Sequence, residues 1–473
     1  MEKTKKEFKK NIELIGILQH PDNDSWGPED YPVAGAMGCF AEESSTEIHK
    51  KHAIASKPYT IGKGSNKKQI GWKQTKELIM KETSGRGHGA VLDHGVFEWS
   101  IDNLTRGSTL TLCSPQYASH LQQSLRRATA ERSFNKINSD SEMGKRGFTK
   151  ITSDQGNEIM AKQFELYNEM VKGGIPTEDA RIILPLNTKT TIHTLWDARE
   201  LMHLKSMAER MRMPSEVNET INEMYEQARK VAPSLMKERD KNFEVLAWMP
   251  SNQLYSRDNL PLEIEISKRE ANKNNPNHKF LLDYSIGLKM SDKEISKAIH
   301  SRDEALLSNL KHTHFSFMVP MSLMSFHQAT RQRTWDQSVE PLEQALQRGV
   351  FVIPPSIKNT EYSQPLTKLS KESRRYALRN LNKTPEVLGV IPHNLEIYDL
   401  IHINGWNALH SIGKRTCKTA QWEIRSKANI IAKEIRQVYS ALGKYCLPQG
   451  MLYGSCPERE NCGMCKTGEY KLK

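Results

Sequence analysis

A chain of 473 residues is too long for one ordinary core, and its length points to two domains of typical size. Lys and Arg number 68 against 56 Asp and Glu, a net charge of +12 that favours anionic partners, nucleotides and nucleic acid both being allowed. No apolar stretch approaches the ~20 residues a membrane span needs, and Met1 is followed by charge without a hydrophobic signal core, so a cytoplasmic protein is expected.

In chain order, MEKTKKEFKK reads as a solvated leader or first helix turn, and IGKGSN at Ile61 and SGRGHG at Ser84 lack dinucleotide-fold or P-loop spacing and read as turns. VLDHGVFEWSI, from Val91, places Phe97, Trp99 and Ile101 in period-two alternation, the mark of a half-buried strand. NLKHTHFSFMV, from Asn309, repeats it at an offset of 218, pairing Phe97 with Phe315 and His94 with His312, two residues expected to be core histidines. An offset of 207 then pairs Pro185 with Pro392, Asn187 with Asn394, His203 with His410 and Glu216 with Glu423. Each copy closes on an apolar stripe at 4, 3, 4, 3 spacing, Val217 to Val231 and Ile424 to Val438, which predicts amphipathic helices. Pro214 and Ser215 supply a start signal for the first helix. The linker is expected at Ala232 to Phe243, giving copies 1–237 and 238–473, while Ser267 to Lys279 is expected to be a surface loop. Strands mixed with helices in each half predict α+β domains, a mixed sheet packed with helices.

Two further stretches look like halves of one motif. SFHQATRQRTWDQS carries Gln328, Arg331 and Arg333, whereas SPQYASHLQQSLRR lacks such arginines and ends in Gln123, Ser124 and Arg126. The seven cysteines are odd in number and clustered toward the end, which argues for thiols or a metal and against a disulfide framework. Cys446, Cys456, Cys462 and Cys465 could bind zinc tetrahedrally, with reduced thiols the preferred expectation and no metal assigned.

Taken together, GHGAVLDH at Gly87 to His94, EDARIILP at Glu178 to Pro185 and RTCKTAQWEIR at Arg415 to Arg425 resemble the flavin-dependent thymidylate synthase family across nearly the whole chain, twice. The family pattern runs Gln-x-x-Arg-His-Arg, followed by Ser-x-Arg-Tyr. The departures from it are complementary. Copy one has Ser114, Pro115 and Gln116 in place of Arg-His-Arg, and Ala208 in place of the late arginine. Copy two has Gln332 for the central His, Pro341 and Glu343 for the Ser and Arg of Ser-x-Arg, Leu388 for the Ala-Arg arginine and Trp406 for the arginine after Asn404.

The resemblance implies C5 methylation of dUMP with methylenetetrahydrofolate, FAD and NADPH, with one competent site shared by the copies and a homodimer that mimics the family's tetramer. It implies Arg415 as the catalytic cation, and Gln328, Arg331, Gln123, Ser124, Leu125, Arg126 and Arg181 as nucleotide ligands. It implies Ser308, Arg331, Gln332, Arg333, Asn404, His410, Gln122 and Arg199 around the flavin. These residue types suit the chemistry, since forked guanidinium groups grip phosphate and a fixed cation stabilises charge that grows on a uracil ring. Neither a membrane nor nucleic acid is expected as a partner. The alternatives are a C5-modifying enzyme with altered pyrimidine substrate or product, and a non-catalytic nucleotide or nucleic-acid binding protein on the same fold.

Overall fold

The computed structural model describes residues 10–19, 26–55, 57–124, 147–237, 254–255, 259–271, 280–458 and 462–465. The chain forms two compact units, the first made of Met1–Lys150, Asn187–Ser251 and Lys383–Gly389, the second of Ile151–Leu186, Asn252–Asn382 and Val390–Lys473. The units therefore do not follow a division at 237/238 segment for segment. Residues 151–186 of the first sequence copy are built into the second unit, and 383–389 of the second copy into the first.

In the first unit, strands β1 (Asn11–Ile17), β4 (Val96–Thr105), β5 (Ser119–Gln122) and β6 (Lys189–Asp197) form an antiparallel sheet in the order β1-β4-β6-β5. A separate hairpin pairs β2 (Tyr59–Ile61) with β3 (Lys68–Ile70), and Gly62 and Gly64 in its connection take positive φ, as a turn requires. A Cβ at Gly62 would stand 2.4 Å from the Asn66 carbonyl oxygen. In the second unit, β7 (Leu281–Ile286), β8 (Thr313–Ser322), β9 (Asp336–Val339) and β10 (Glu396–Asn404) repeat the topology as β7-β8-β10-β9. With helices packed on them, both units have the expected α+β architecture.

The alternating pattern puts Phe97, Trp99 and Ile101 of β4, and Phe315, Phe317 and Val319 of β8, fully out of solvent. Each such side chain contributes roughly 1.5–3 kcal/mol of burial. β8 is also covered on its other face, where Met318 and Tyr398 meet Leu262 and Ile266 of helix Leu260–Ala271. That contact explains why 267–271 is helical and not loop.

The repeat slips by one residue inside β4, because two residues, Asp102 and Asn103, stand against Thr191 of β6 in a β-bulge. Asn103 takes the left-handed conformation, φ 58°, that its short polar side chain tolerates. β8 pairs with β10 without interruption. The offset of 218 at Phe97 thus becomes 217 at the strand ends, where Thr105 and Ser322 cap the short helices Arg106–Leu112 and Leu323–Ala329.

The paired glutamates acquire a role here. Glu216 accepts from Thr105 N at 3.2 Å, Thr105 Oγ1 at 2.5 Å and Ser108 Oγ at 2.6 Å. Glu423 accepts from Ser322 N at 2.8 Å and Ser322 Oγ at 2.5 Å. In each unit the closing helix, Ser215–Val231 or Trp422–Val438, therefore holds the start of a short helix through one carboxylate. The apolar stripes are buried as expected through Val217, Ile221, Met224 and Ala228, and through Ile424, Ala428, Ile431 and Ile435. His94 and His312, expected in the core, are instead exposed at the strand entrances. Among the described residues no helix is long and apolar enough to cross a membrane.

Candidate active site

In the second unit the segment after helix Leu323–Ala329 alternates outward and inward. Arg331 and Arg333 are exposed, Gln332 between them is half-buried, and Trp335 is buried. Gln332, Thr334 and Trp335 fasten the segment to one helical run, Gly405–Arg415, whose middle, Ala408–Ile412, is a π-turn. Thr334 Oγ1 donates to Asn407 Oδ1 at 2.6 Å, and Asn407 Nδ2 returns a bond to the Thr334 carbonyl at 3.1 Å. Trp335 Nε1 donates to Ser411 Oγ at 2.6 Å. With its amide oxygen turned to the helix, Gln332 accepts from Arg415 Nη2 at 2.5 Å and from Nε at 3.0 Å. Residues 407, 411 and 415 are four apart, so a single helix face carries all three ties. The result is three guanidinium groups, Arg331, Arg333 and Arg415, on one braced framework.

Gln328 stands one turn before Arg331, and its amide Nε2 is buried with no hydrogen-bond partner among the described residues. A buried donor left without an acceptor costs about 1–3 kcal/mol, which a ligand oxygen would relieve. The preceding His327 stacks on His393, ring centroids 5.4 Å apart, and His393 Nδ1 lies 2.6 Å from the Leu184 carbonyl. Leu184 belongs to the Ala-Arg segment of the first sequence copy. Arg181, in that segment, is buried, with Nε donating to the Glu178 carbonyl at 3.0 Å. Helix Asp154–Lys172, earlier in the same copy, is bonded to residues of the second copy, Gln163 Nε2 donating to Ser373 Oγ and to the Val390 carbonyl, both at 3.0 Å. Arg181 of copy one and the arginines of copy two therefore belong to one compact unit.

Asn404 caps the helical run, accepting from Asn407 N at 2.9 Å, and Ser308 Oγ donates to the Ala305 carbonyl at 2.7 Å. Trp406, which replaces an arginine of the pattern, stacks parallel to His410 at 5.7 Å. Partial burial, and then Lys414, hold the exposed His410 below the ordinary imidazole range. The same unit thus offers an imidazole stacked on an indole, a flat face, and two exposed guanidinium groups. This donor set fits a dinucleotide that carries a ring system and a pyrophosphate.

In the first unit Gln122 Nε2 donates to Thr109 Oγ1 at 2.6 Å. Gln123 is set by its own backbone, N to the Thr191 carbonyl at 3.0 Å, while buried Arg106 donates from Nη2 to the Gln123 carbonyl at 2.6 Å. Ser124 is half-buried, and Leu125 and Arg126 lie outside the described residues. Arg199 is buried in an ion pair with Asp93, Nε to Oδ1 2.7 Å, and its guanidinium packs where a Cβ on Gly89 would fall. Asp197 beside it caps helix Ala198–Arg210, and burial, with Glu200 and Asp93 adding to it, pushes its carboxyl up to about 7.

Cys446 is fully buried, its thiol pushed up to about 12 by that burial. Cys417 is half-buried and hydrogen-bonded, Sγ to Thr419 Oγ1, at 3.2 Å. Together with Cys456 and Cys462 it is a thiol whose charge Cys465 feels. Among the described residues no group of three or more His, Cys, Asp or Glu stands as a metal site. Thr334, Trp335, Asn407 and Ser411 are the positioning residues that sequence reasoning missed.

The model of the family described as thymidylate synthase complementing protein matches residues 26–234 and again 248–439. A flavin-dependent thymidylate synthase of Pyrococcus furiosus is 30% identical over 172 residues, covering 35% of this chain and 64% of that protein, a little under two thirds of its length. One from Geobacter sulfurreducens is 29% identical over 235 residues, covering 47% of this chain and 85% of the relative. A UMP/dUMP methylase of Streptomyces cacaoi, solved with 5-Br dUMP, aligns at 15% identity and TM-score 0.35 over 50% of this chain and 98% of its own. With most of its length matched in two consecutive blocks, the chain belongs to the thymidylate synthase complementing protein family.

Proposed function

We propose that the protein is an FAD-dependent thymidylate synthase that methylates C5 of dUMP, with methylenetetrahydrofolate as one-carbon donor and NADPH as reductant. The observation that carries this reading is the set of groups in the second unit: exposed Arg331 and Arg333, Arg415 held by Gln332, and the buried unpartnered Nε2 of Gln328. The relatives named flavin-dependent thymidylate synthase supply the reaction class.

Arg331 and Arg333 would hold the FAD pyrophosphate, with Asn404, Ser308 and His410 bordering it. Gln122 and Arg199 keep the flavin role that the motif gives them. The bound flavin supplies the hydride chemistry. Gln328 and Arg181 would grip the nucleotide, and the motif gives Gln123, Ser124, Leu125 and Arg126 the same task. Arg415 would stabilise negative charge growing at N3 and the carbonyl oxygens of uracil, which makes C5 nucleophilic without an enzyme nucleophile. A fixed cation in a partly desolvated setting needs no reorganisation as that charge develops. Because each copy retains what the other has lost, we assign one competent site per chain and a dimer as the working assembly.

The test is the visible absorption spectrum of the purified chain, followed by anaerobic reduction with NADPH and tritium release from dUMP labelled at C5. A flavin band with dUMP-dependent release, lost on Arg415→Ala and on Arg126→Ala alike, supports the reading. A colourless protein that releases no tritium overturns it. Running the assay with UMP and dCMP separates dUMP methylation from an altered pyrimidine substrate.

A further inference from the structure

Gln332 occupies the place where the family pattern has histidine, and it is the inward member of a segment whose outward members are Arg331 and Arg333. With the amide turned so that its oxygen faces the helix, the orientation that satisfies both partners, Gln332 takes two N–H groups from one edge of the Arg415 guanidinium, Nη2 at 2.5 Å and Nε at 3.0 Å. The backbone that presents it is itself fixed, with Thr334 and Trp335, two and three positions along, bonded to Asn407 and Ser411 of the helical run that ends at Arg415. We infer that Gln332 is a positioning residue, which orients the Arg415 guanidinium while leaving its positive charge intact. This inference rests on the role proposed for Arg415 above.

The chemistry of the two side chains explains why glutamine can serve here. A carboxamide oxygen has two lone pairs and can accept both N–H groups of one guanidinium edge. A neutral imidazole nitrogen has one lone pair, and a protonated imidazole has no acceptor and would repel the guanidinium. A carboxylate would grip the same edge more tightly but would neutralise it, and with it the field available to a developing oxyanion. Glutamine therefore secures the geometry without reducing the charge.

The test is a double-mutant cycle on the full chain with Gln332→Leu and Arg415→Ala, read twice. Urea unfolding needs no substrate and reports the contact. Tritium release from labelled dUMP reports its consequence. The expected coupling in the folding equilibrium is about tenfold, in line with a hydrogen bond to a charged group. In turnover, Gln332→Leu is expected to lower kcat by roughly thirtyfold with KM for dUMP changed by about twofold or less, and to add nothing on the Arg415→Ala background. Gln332→Glu supplies the second variant, since it keeps the contact in unfolding yet lowers kcat, a split that a purely structural role would not produce. Additive unfolding energies would overturn the contact, and parental kcat in Gln332→Leu would overturn the positioning role. A parent chain that binds flavin but releases no tritium defeats the function reading, and the unfolding cycle then decides by itself whether Gln332 holds Arg415.

Discussion

The two segments that follow the short capped helices share a scaffold and differ in content. In both copies a β-strand ends at a Thr or Ser cap, a carboxylate from the closing helix holds that cap, and the chain then turns toward the next strand. In copy two the turn presents Arg331, Gln332 and Arg333 and is tied to the helix carrying Arg415. In copy one the corresponding residues are Ser114, Pro115 and Gln116, Ser114 Oγ is turned back onto the Leu110 carbonyl at 2.9 Å, and Ala208 replaces the arginine. The capping device that shapes the turn is thus present in both copies, whereas the cations that the turn displays are present in one. A duplicated domain can lose its charged groups while keeping the interactions that fold it.

The sharpest way to break this comparison is to remove the content and leave the scaffold. Arg415→Ala should reduce dUMP turnover by about a thousandfold, equivalent to about 4 kcal/mol of barrier, with a thermal midpoint near the parent's. Ala208→Arg in copy one should restore none of it. The scaffold is tested by Glu216→Ala and Glu423→Ala, each expected to cost about 3 kcal/mol in urea unfolding, because each strands buried donors at a helix start. A large cost at only one of the two would show that the copies do not depend equally on their carboxylates.

Asp399 offers a smaller and pH-dependent contrast. It lies fully buried on β10 where β6 carries Ile192, accepts from Gln337 Nε2 at 2.6 Å, and leaves Oδ1 without a partner among the described residues. Burial lifts its carboxyl to about 7. The unfolded value is near 3.9, so the native chain retains a proton that the unfolded chain releases. Stability should fall as pH rises from about 4 to 7 and then level off. Asp399→Asn should flatten that slope and gain on the order of 2 kcal/mol at pH 8, measured by urea unfolding across the range. The smallest expected effect is Thr334→Val, about 1 kcal/mol of stability, with turnover reduced far less than in Arg415→Ala.

Sequence pattern reached the strands and closing helices because burial on one face imposes period two or 3.6 on the residue types, as at Phe97, Trp99 and Ile101. It reached the pairing of Glu216 with Glu423 but not its meaning, since a carboxylate that caps a helix more than a hundred residues away leaves no local trace. The Asn103 bulge was hidden for a related reason. Two residues opposing one is a property of a strand pair, and the one-residue change in offset became informative only with Thr191 in view. Gln332 was visible as a departure, yet its partner lies eighty-three positions later and could not be read from spacing. Arg199 was visible as a basic residue, but its pairing with Asp93 was not. The exchange of 151–186 into the second unit was equally invisible, because Gln163 and Ser373 look like ordinary polar positions on two amphipathic helices.

That exchange gives the polypeptide the connectivity of a woven object. The chain passes between its units after Lys150, Leu186, Ser251, Asn382 and Gly389. One cut after the first sequence copy therefore does not produce two self-sufficient pieces, since each fragment still carries a part of the other's core. Expressed alone, residues 1–237 would lack the 383–389 segment of the first unit, and 238–473 would lack the 151–186 segment of the second.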